Sequence, residues 1–95
     1  MTGADADGPW HLVVAGPAAR AISDELPAPV AAAVIELITG PLVTDPHRMG
    51  RELRNELSGM HAARRGAFRV LYRIEEDRRQ VVVLRVQHRR DAYRP

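Results

Sequence analysis

The stretch 59-GMHAARRGAFRVLYRIEEDRRQVVVLRVQ-87 decides how this chain is read. It holds three β-rich segments, 59–65, 68–74 and 80–87, joined by Gly66-Ala67 and by the charged turn 75-EEDRR-79, which is the pattern of a three-stranded antiparallel meander. In the second segment Phe68, Val70, Tyr72 and Ile74 alternate with Arg69, Leu71 and Arg73. Successive side chains of a strand point to opposite faces, so the first set is expected against a core and both arginines on an open face. Tyr72 is thereby a core residue. In the third segment the same alternation predicts Val82, Leu84 and Val86 toward the core and Arg85 away from it, with Arg89 following on its side. Arg69, Arg73, Arg85 and Arg89 then share one open face. Like charges placed side by side on a sheet cost tenths to about 1 kcal/mol per pair, so such a face implies an anion or an acid between them.

Upstream, 10-WHLVVA-15 is short and apolar and reads as a strand anchored by Trp10, and Gly16-Pro17 then breaks it and opens a helix. That helix, about 17–26, aligns Ala18, Ile22 and Leu26. A second helix, 30–39, aligns Val30, Val34, Leu37 and Ile38 on one stripe before Gly40-Pro41 stops it. Residues 41–56 have no clear period, and the Asp45-Pro46 and Met49-Gly50 breaks mark them as a connector. The predicted fold is α+β: strand, helix hairpin, then a three-stranded meander (βααβββ), a mainly antiparallel sheet packed on two helices. Residues 1–9 are expected to be a flexible leader and 10–95 one domain, which fits a chain of 95 residues.

All fourteen basic residues are Arg, and their placement is lopsided. Residues 1–47 carry one Arg against six Asp and Glu and residues 48–95 carry thirteen against six, so the formal charge passes from −5 (1 − 6) to +7 (13 − 6) within a chain of net +2. A single Arg is accounted for by a solvated face or by an Arg-rich composition; the clustering on one half points to a phosphate-bearing partner. The absence of Cys removes disulfides, thiolate chemistry and Cys-based zinc sites. The acidic opening MTGADADGP has no apolar run of the signal-peptide or membrane-span kind, which gives the expectation of a cytoplasmic protein with no membrane partner.

Two short runs carry a family resemblance: 64-RRGAFRVLY-72, of the form R-x-G-x-[YF]-R-[VL]-[VL]-Y, and 88-HRRDAY-93, of the form H-R-R-D-x-Y. With 41-PLVTDPHRMGRELRNELSGMHAARRG-66 and the strand and helix hairpin before it, the chain resembles, over about residues 10–94, the RelE/ParE superfamily of toxins from bacterial toxin–antitoxin systems, most closely its RelE branch. The resemblance implies an endoribonuclease that enters the ribosomal A site and cuts mRNA there without metal or other cofactor, by driving the 2′-hydroxyl onto the adjacent phosphate. It implies a cognate antitoxin in a hetero-oligomer, with the ribosome and its mRNA as the target. Arg69 matches the family's phosphate-stabilising Arg, Arg89 the second such Arg, and Tyr93 the terminal Tyr that supports the cleaved nucleotide. Arg64 matches a basic position one strand earlier, and Arg64, Arg65, Arg73, Arg85 and Arg90 make up the expected RNA- and phosphate-binding set.

The chain departs from the family pattern where a pair of lysines precedes the R-x-G-x-Y-R turn, since Met60-His61-Ala62-Ala63 stands there. His61 or His88 is the expected proton-transfer group, because imidazole titrates near working pH. The alternative for a His in a strand is a packing role, and the alternative for Arg69 is an ion pair with Glu75, Glu76 or an acid of the connector. A ParE-like inhibitor that binds DNA gyrase without cutting nucleic acid is the competing reading. Val81 and Val83 are expected opposite the helix-packed face, either open for an added antitoxin segment or covered by the leader or the connector.

Overall fold

The computed structural model describes residues 9–54 and 59–88. The chain runs through strand β1 (His11–Val14), helix α1 (Gly16–Arg20) continued by a π turn (Ala21–Glu25), helix α2 (Ala28–Thr39), two single-turn helices α3 (Pro41–Thr44) and α4 (Pro46–Met49), and strands β2 (Arg51–Glu52), β3 (His61–Arg65), β4 (Phe68–Glu75) and β5 (Gln80–His88). The sheet order is β1-β5-β4-β3-β2, antiparallel throughout the meander and parallel only where β1 pairs with β5. This is the α+β architecture read from the sequence.

Local chemistry sets the element ends. Pro17 lies in the first turn of α1, where its missing N–H is not needed. Pro27 forces Leu26 into extended backbone (φ −86°, ψ 145°), so the helix closes with a wide bond from Leu26 N to Ala21 O (2.9 Å). Gly66 takes φ +60° as the first residue of the two-residue β3–β4 turn, a conformation suited to the right-handed twist of the hairpin. The connector is more ordered than its sequence implies. Pro41 and Pro46 do not break structure but begin α3 and α4, and β2 adds a fifth strand at the sheet edge. Elements of two to four residues are too short to display a hydrophobic period, which is why the sequence reads as irregular there.

One face of the sheet packs on the helices. Ala18, Val34, Leu37, Ile38 and Leu42 from the helical layer meet Ala63, Phe68, Val70, Tyr72, Val81 and Val83 from the sheet, and Trp10, Ile22, Leu26, Val30 and Met49 close the margins. Burying each large apolar side chain is worth about 1.5–3 kcal/mol, so this layer carries most of the folding free energy. Tyr72 is fully buried and its hydroxyl donates to the Pro46 carbonyl at 2.6 Å, tying β4 to α4. Gly50 is dictated by the same contact: a Cβ there would sit 2.5 Å from the Tyr72 hydroxyl and 2.7 Å from the Ala62 carbonyl oxygen.

The alternation expected in the last strand is broken. Leu71 pairs with Arg85 and Tyr72 with Val83, which leaves Leu84 as the extra residue of a β-bulge. Val81 and Val83 (both 0 % exposed) therefore face the helices, and not Val82 and Leu84 as uniform alternation predicts; Val86, beyond the bulge, packs toward the core as expected. This also removes the proposed open surface at Val81 and Val83. The apolar run 81-VVVL-84 contains no alternation from which parity can be read, and β5, flanked by β1 and β4, has its three valines buried on both faces.

Candidate nucleic-acid interface

The face of the sheet turned away from the helices is defined by register. Arg51 on β2 lies beside Ala62 on β3, Arg64 on β3 beside Arg69 on β4, Leu71 on β4 beside Arg85 on β5, and Arg69 beside Gln87. Alternation then puts Arg51, Arg64, Arg69, Arg73 and Arg85 on this one face. The bulge at Leu84 is what makes this possible. It lets Val81 and Val83 enter the core while turning Arg85 and Gln87 to the side of Arg69.

The arginines of this face are held differently. Arg73 donates from Nε (3.3 Å) and Nη2 (3.1 Å) to one oxygen of Glu75, two residues along the same strand, so its charge is largely matched. Arg69 donates from Nε to the amide oxygen of Gln87 at 2.8 Å and, among the described residues, has no carboxylate partner. Arg64, directly opposite Arg69, is exposed. Two arginines thus lie side by side in register next to the Gly66 turn, with a neutral amide as the acceptor of one of them. The expected alternative, an ion pair of Arg69 with Glu75 or Glu76, is not what the structure holds; Glu75 goes to Arg73 and Glu76 to His47 (2.8 Å).

The two candidate histidines are not brought to this face. His61 pairs with Tyr72 and stacks on its ring (centroids 5.4 Å apart, planes at 27°), on the helix-packed side. There it is the inner member of a row of rings in which His47 lies edge-on to His61 (6.4 Å), Trp10 lies edge-on to His47 (5.7 Å) and the Arg79 guanidinium covers Trp10 (4.7 Å). Among the described residues its buried Nδ1 has no hydrogen-bond partner. His88 pairs with Phe68, two positions beyond Val86 and on the same parity. Arg65 pairs with Phe68 across the turn, exposed and on the opposite parity to Arg64. Arg89, Arg90 and Tyr93 lie outside the described residues. Burial, and secondarily the charge of Asp45, pushes the Tyr72 phenol up to about 12, so Tyr72 is a neutral structural donor at ordinary pH.

Gln87 and Arg51 are the members of the face that sequence reading missed. Gln in a strand has no signature of its own, and Arg51 was hidden in a two-residue strand. The Arg73–Glu75 pair was legible, since a spacing of two on a strand puts both side chains on one face. Among the described residues no helix is long and apolar enough to cross a membrane.

Comparison with known proteins places this geometry in a family. Residues 15–93 match the family model of the ParE toxin of the type II toxin–antitoxin system parDE. The chain is similar to Toxin RelE of Mycobacterium tuberculosis (42 % identical over 88 residues, 93 % of this chain and 90 % of the relative). It is also similar to Toxin RelG of the same organism (49 % identical over 76 residues, 80 % of this chain and 87 % of the relative). A RelBE toxin–antitoxin complex from M. tuberculosis contains a chain of the same fold (TM-score 0.82, 43 % identity, covering 86 % of this chain and 100 % of that one). The intact Escherichia coli RelBE complex shares the fold at 15 % identity (TM-score 0.70, covering 83 % of this chain and 95 % of that one). The chain belongs to the RelE/ParE superfamily, and is a toxin of the type II toxin–antitoxin kind.

Proposed function

We propose that this toxin is a ribosome-dependent mRNA endoribonuclease whose working surface is the arginine face of the sheet. The observation that carries the reading is the side-by-side pair Arg64 and Arg69, with Arg69 tethered to a neutral amide and not to a carboxylate. When the 2′-hydroxyl of a nucleotide attacks the adjacent phosphorus, negative charge builds on the non-bridging oxygens, the bond to the 5′-oxygen breaks, and a 2′,3′-cyclic phosphate and a 5′-hydroxyl are left. Fixed guanidiniums aimed at those oxygens stabilise that charge. Arg69 is assigned this role, with Arg64 and Arg85 holding the flanking phosphates and Arg51 extending the track. Arg89 and Tyr93 complete the set on the strength of the 88-HRRDAY-93 motif. Because His61 and His88 take the helix-packed parity, neither is assigned the proton transfer.

The toxin acts in the cytoplasm and is neutralised there by a cognate antitoxin in a hetero-oligomer, as supported by its likeness to a chain of a RelBE toxin–antitoxin complex. The test is primer extension on a defined mRNA in a cell-free translation reaction, run beside naked RNA and the Arg69→Ala variant. Cuts at A-site codons that need ribosomes and vanish in the variant are the expected result. The matched family model bears the ParE name, which favours a second reading: binding of DNA gyrase without cleavage. Intact mRNA together with inhibited DNA supercoiling by the same protein sample would select it.

A further inference from the structure

The strands give Gln87 a place on the arginine face that its residue type alone does not explain. It lies directly across from Arg69, its amide oxygen accepts the Arg69 Nε–H at 2.8 Å in a partly buried setting, and it reaches that face only because the bulge at Leu84 reverses the parity of β5. A guanidinium offers two kinds of paired donor edge, one using Nε and one formed by the two terminal nitrogens. With Nε engaged, the terminal edge is the one presented to a ligand. The acceptor is neutral, so among the described residues the positive charge stays unmatched, in contrast to Arg73, whose guanidinium is matched by Glu75 on the same face.

We propose that Gln87 is the positioning residue for Arg69: it fixes the plane of the guanidinium so that its terminal edge takes the non-bridging oxygens of the RNA phosphate, and it does so without neutralising the charge. This rests on the reading of Arg69 as the phosphate-binding arginine. A carboxylate at position 87 would orient Arg69 equally well but would compete with the phosphate for it, and an apolar side chain of the same length would leave the guanidinium free to rotate. Those two substitutions separate orientation from charge.

The experiment compares wild type with Gln87→Met, Gln87→Glu and Arg69→Ala, all full-length. Single-turnover cleavage of ribosome-bound mRNA is measured as a function of toxin concentration, alongside thermal melting and the nitrogen-15 resonance of the Arg69 Nε–H, identified by its loss in Arg69→Ala. Gln87→Met is expected to lower the cleavage rate constant about tenfold, the low end for one hydrogen bond with a charged donor, with half-saturation and melting unchanged and the Nε–H exchanging faster with water. Gln87→Glu is expected to cleave more slowly still while keeping the Nε–H protected. Wild-type rates in both variants beside an inactive Arg69→Ala would overturn the proposal. Should wild-type protein leave ribosomal mRNA intact, the nuclease reading falls separately, and the resonance decides: an Arg69 Nε–H exchanging identically in wild type and Gln87→Met sinks the tether itself.

Discussion

Strand β4 separates two regions of opposite character. On its helix-packed side Phe68, Val70 and Tyr72 are buried, and the Tyr72 hydroxyl is met by the Pro46 carbonyl. On its other side Arg69 and Arg73 alternate around Leu71, and Arg69 sits beside Arg64 with no acid among the described residues to match it. The first arrangement lowers the free energy of the fold. The second raises it, by tenths to about 1 kcal/mol for each like-charged pair. Strain of that kind is retained where a ligand supplies the missing charge, so stability and function in this chain divide by the parity of a single strand.

The division is broken most severely from the core side. Val83→Asp places a carboxylate at a fully buried site with no cationic neighbour among the core residues, and the expected loss is several kcal/mol, comparable with the whole stability of a small domain. A cooperative melting transition at the wild-type temperature would contradict the parity assigned to the bulge. On the open side, Arg69→Ala is expected to reduce ribosomal cleavage by about 10²–10³-fold, the usual effect of removing one donor aimed at a developing oxyanion. Its melting temperature should stay at or above that of wild type, because the substitution removes one of two adjacent positive charges. A large loss of stability would assign Arg69 to the fold.

Alkaline pH sharpens the comparison by addressing the core alone. The Tyr72 phenol titrates at about 12 in the folded chain against 10.0 in its ordinary setting, so the folded state keeps a proton that the unfolded chain releases. The stability from this protonated phenol is therefore complete below pH 10 and is lost as pH rises toward 12, at about 1.4 kcal/mol per pH unit. The composition makes the window clean, because the chain has no Cys, all its basic residues are Arg, and it has only two Tyr, Tyr72 and Tyr93. Chemical denaturation at pH 9, 10.5 and 11.5 should show the fall, and Tyr72→Phe should flatten it. That variant should also lose about 1–3 kcal/mol below pH 10, since the Pro46 carbonyl is left without its donor.

How far the sequence disclosed this molecule follows from the same two sides of β4. The meander, the helix hairpin and the inward set Phe68, Val70 and Tyr72 were legible, because alternation in 68-FRVLYRI-74 is uninterrupted and the turn chemistry around it is strong. Strand β5 was legible only in part. Its run of three valines is equally apolar on both faces, so the one-residue slip at Leu84 has no compositional trace, and the slip decides which valines fill the core. The arginine face was correctly gathered at Arg69, Arg73 and Arg85, but the amide that holds Arg69 was not, because it depends on cross-strand register and side-chain reach. For His61 the sequence left proton transfer and packing both open, and the structure stacks it on Tyr72 on the helix-packed side.

The smallest effect bears most directly on what the open face distinguishes. Arg73 lies two residues from Arg69 on the same side of the same strand, so a face that attracted RNA by charge density alone would treat the two alike. Arg73 is already bound to Glu75, and an exposed ion pair of this kind contributes at most about 1 kcal/mol and offers little net charge to a phosphate. Arg73→Ala should therefore change cleavage by less than about threefold, a fraction of the effect at Arg69, and the loss that remains comes from the freed Glu75 carboxylate. The double variant Arg73→Ala with Glu75→Ala removes both members and should return to within error of wild type. If instead Arg73→Ala matches Arg69→Ala in the cleavage assay, the neutral tether of Arg69 is not what sets it apart, and the face works as a diffuse positive surface with no privileged arginine.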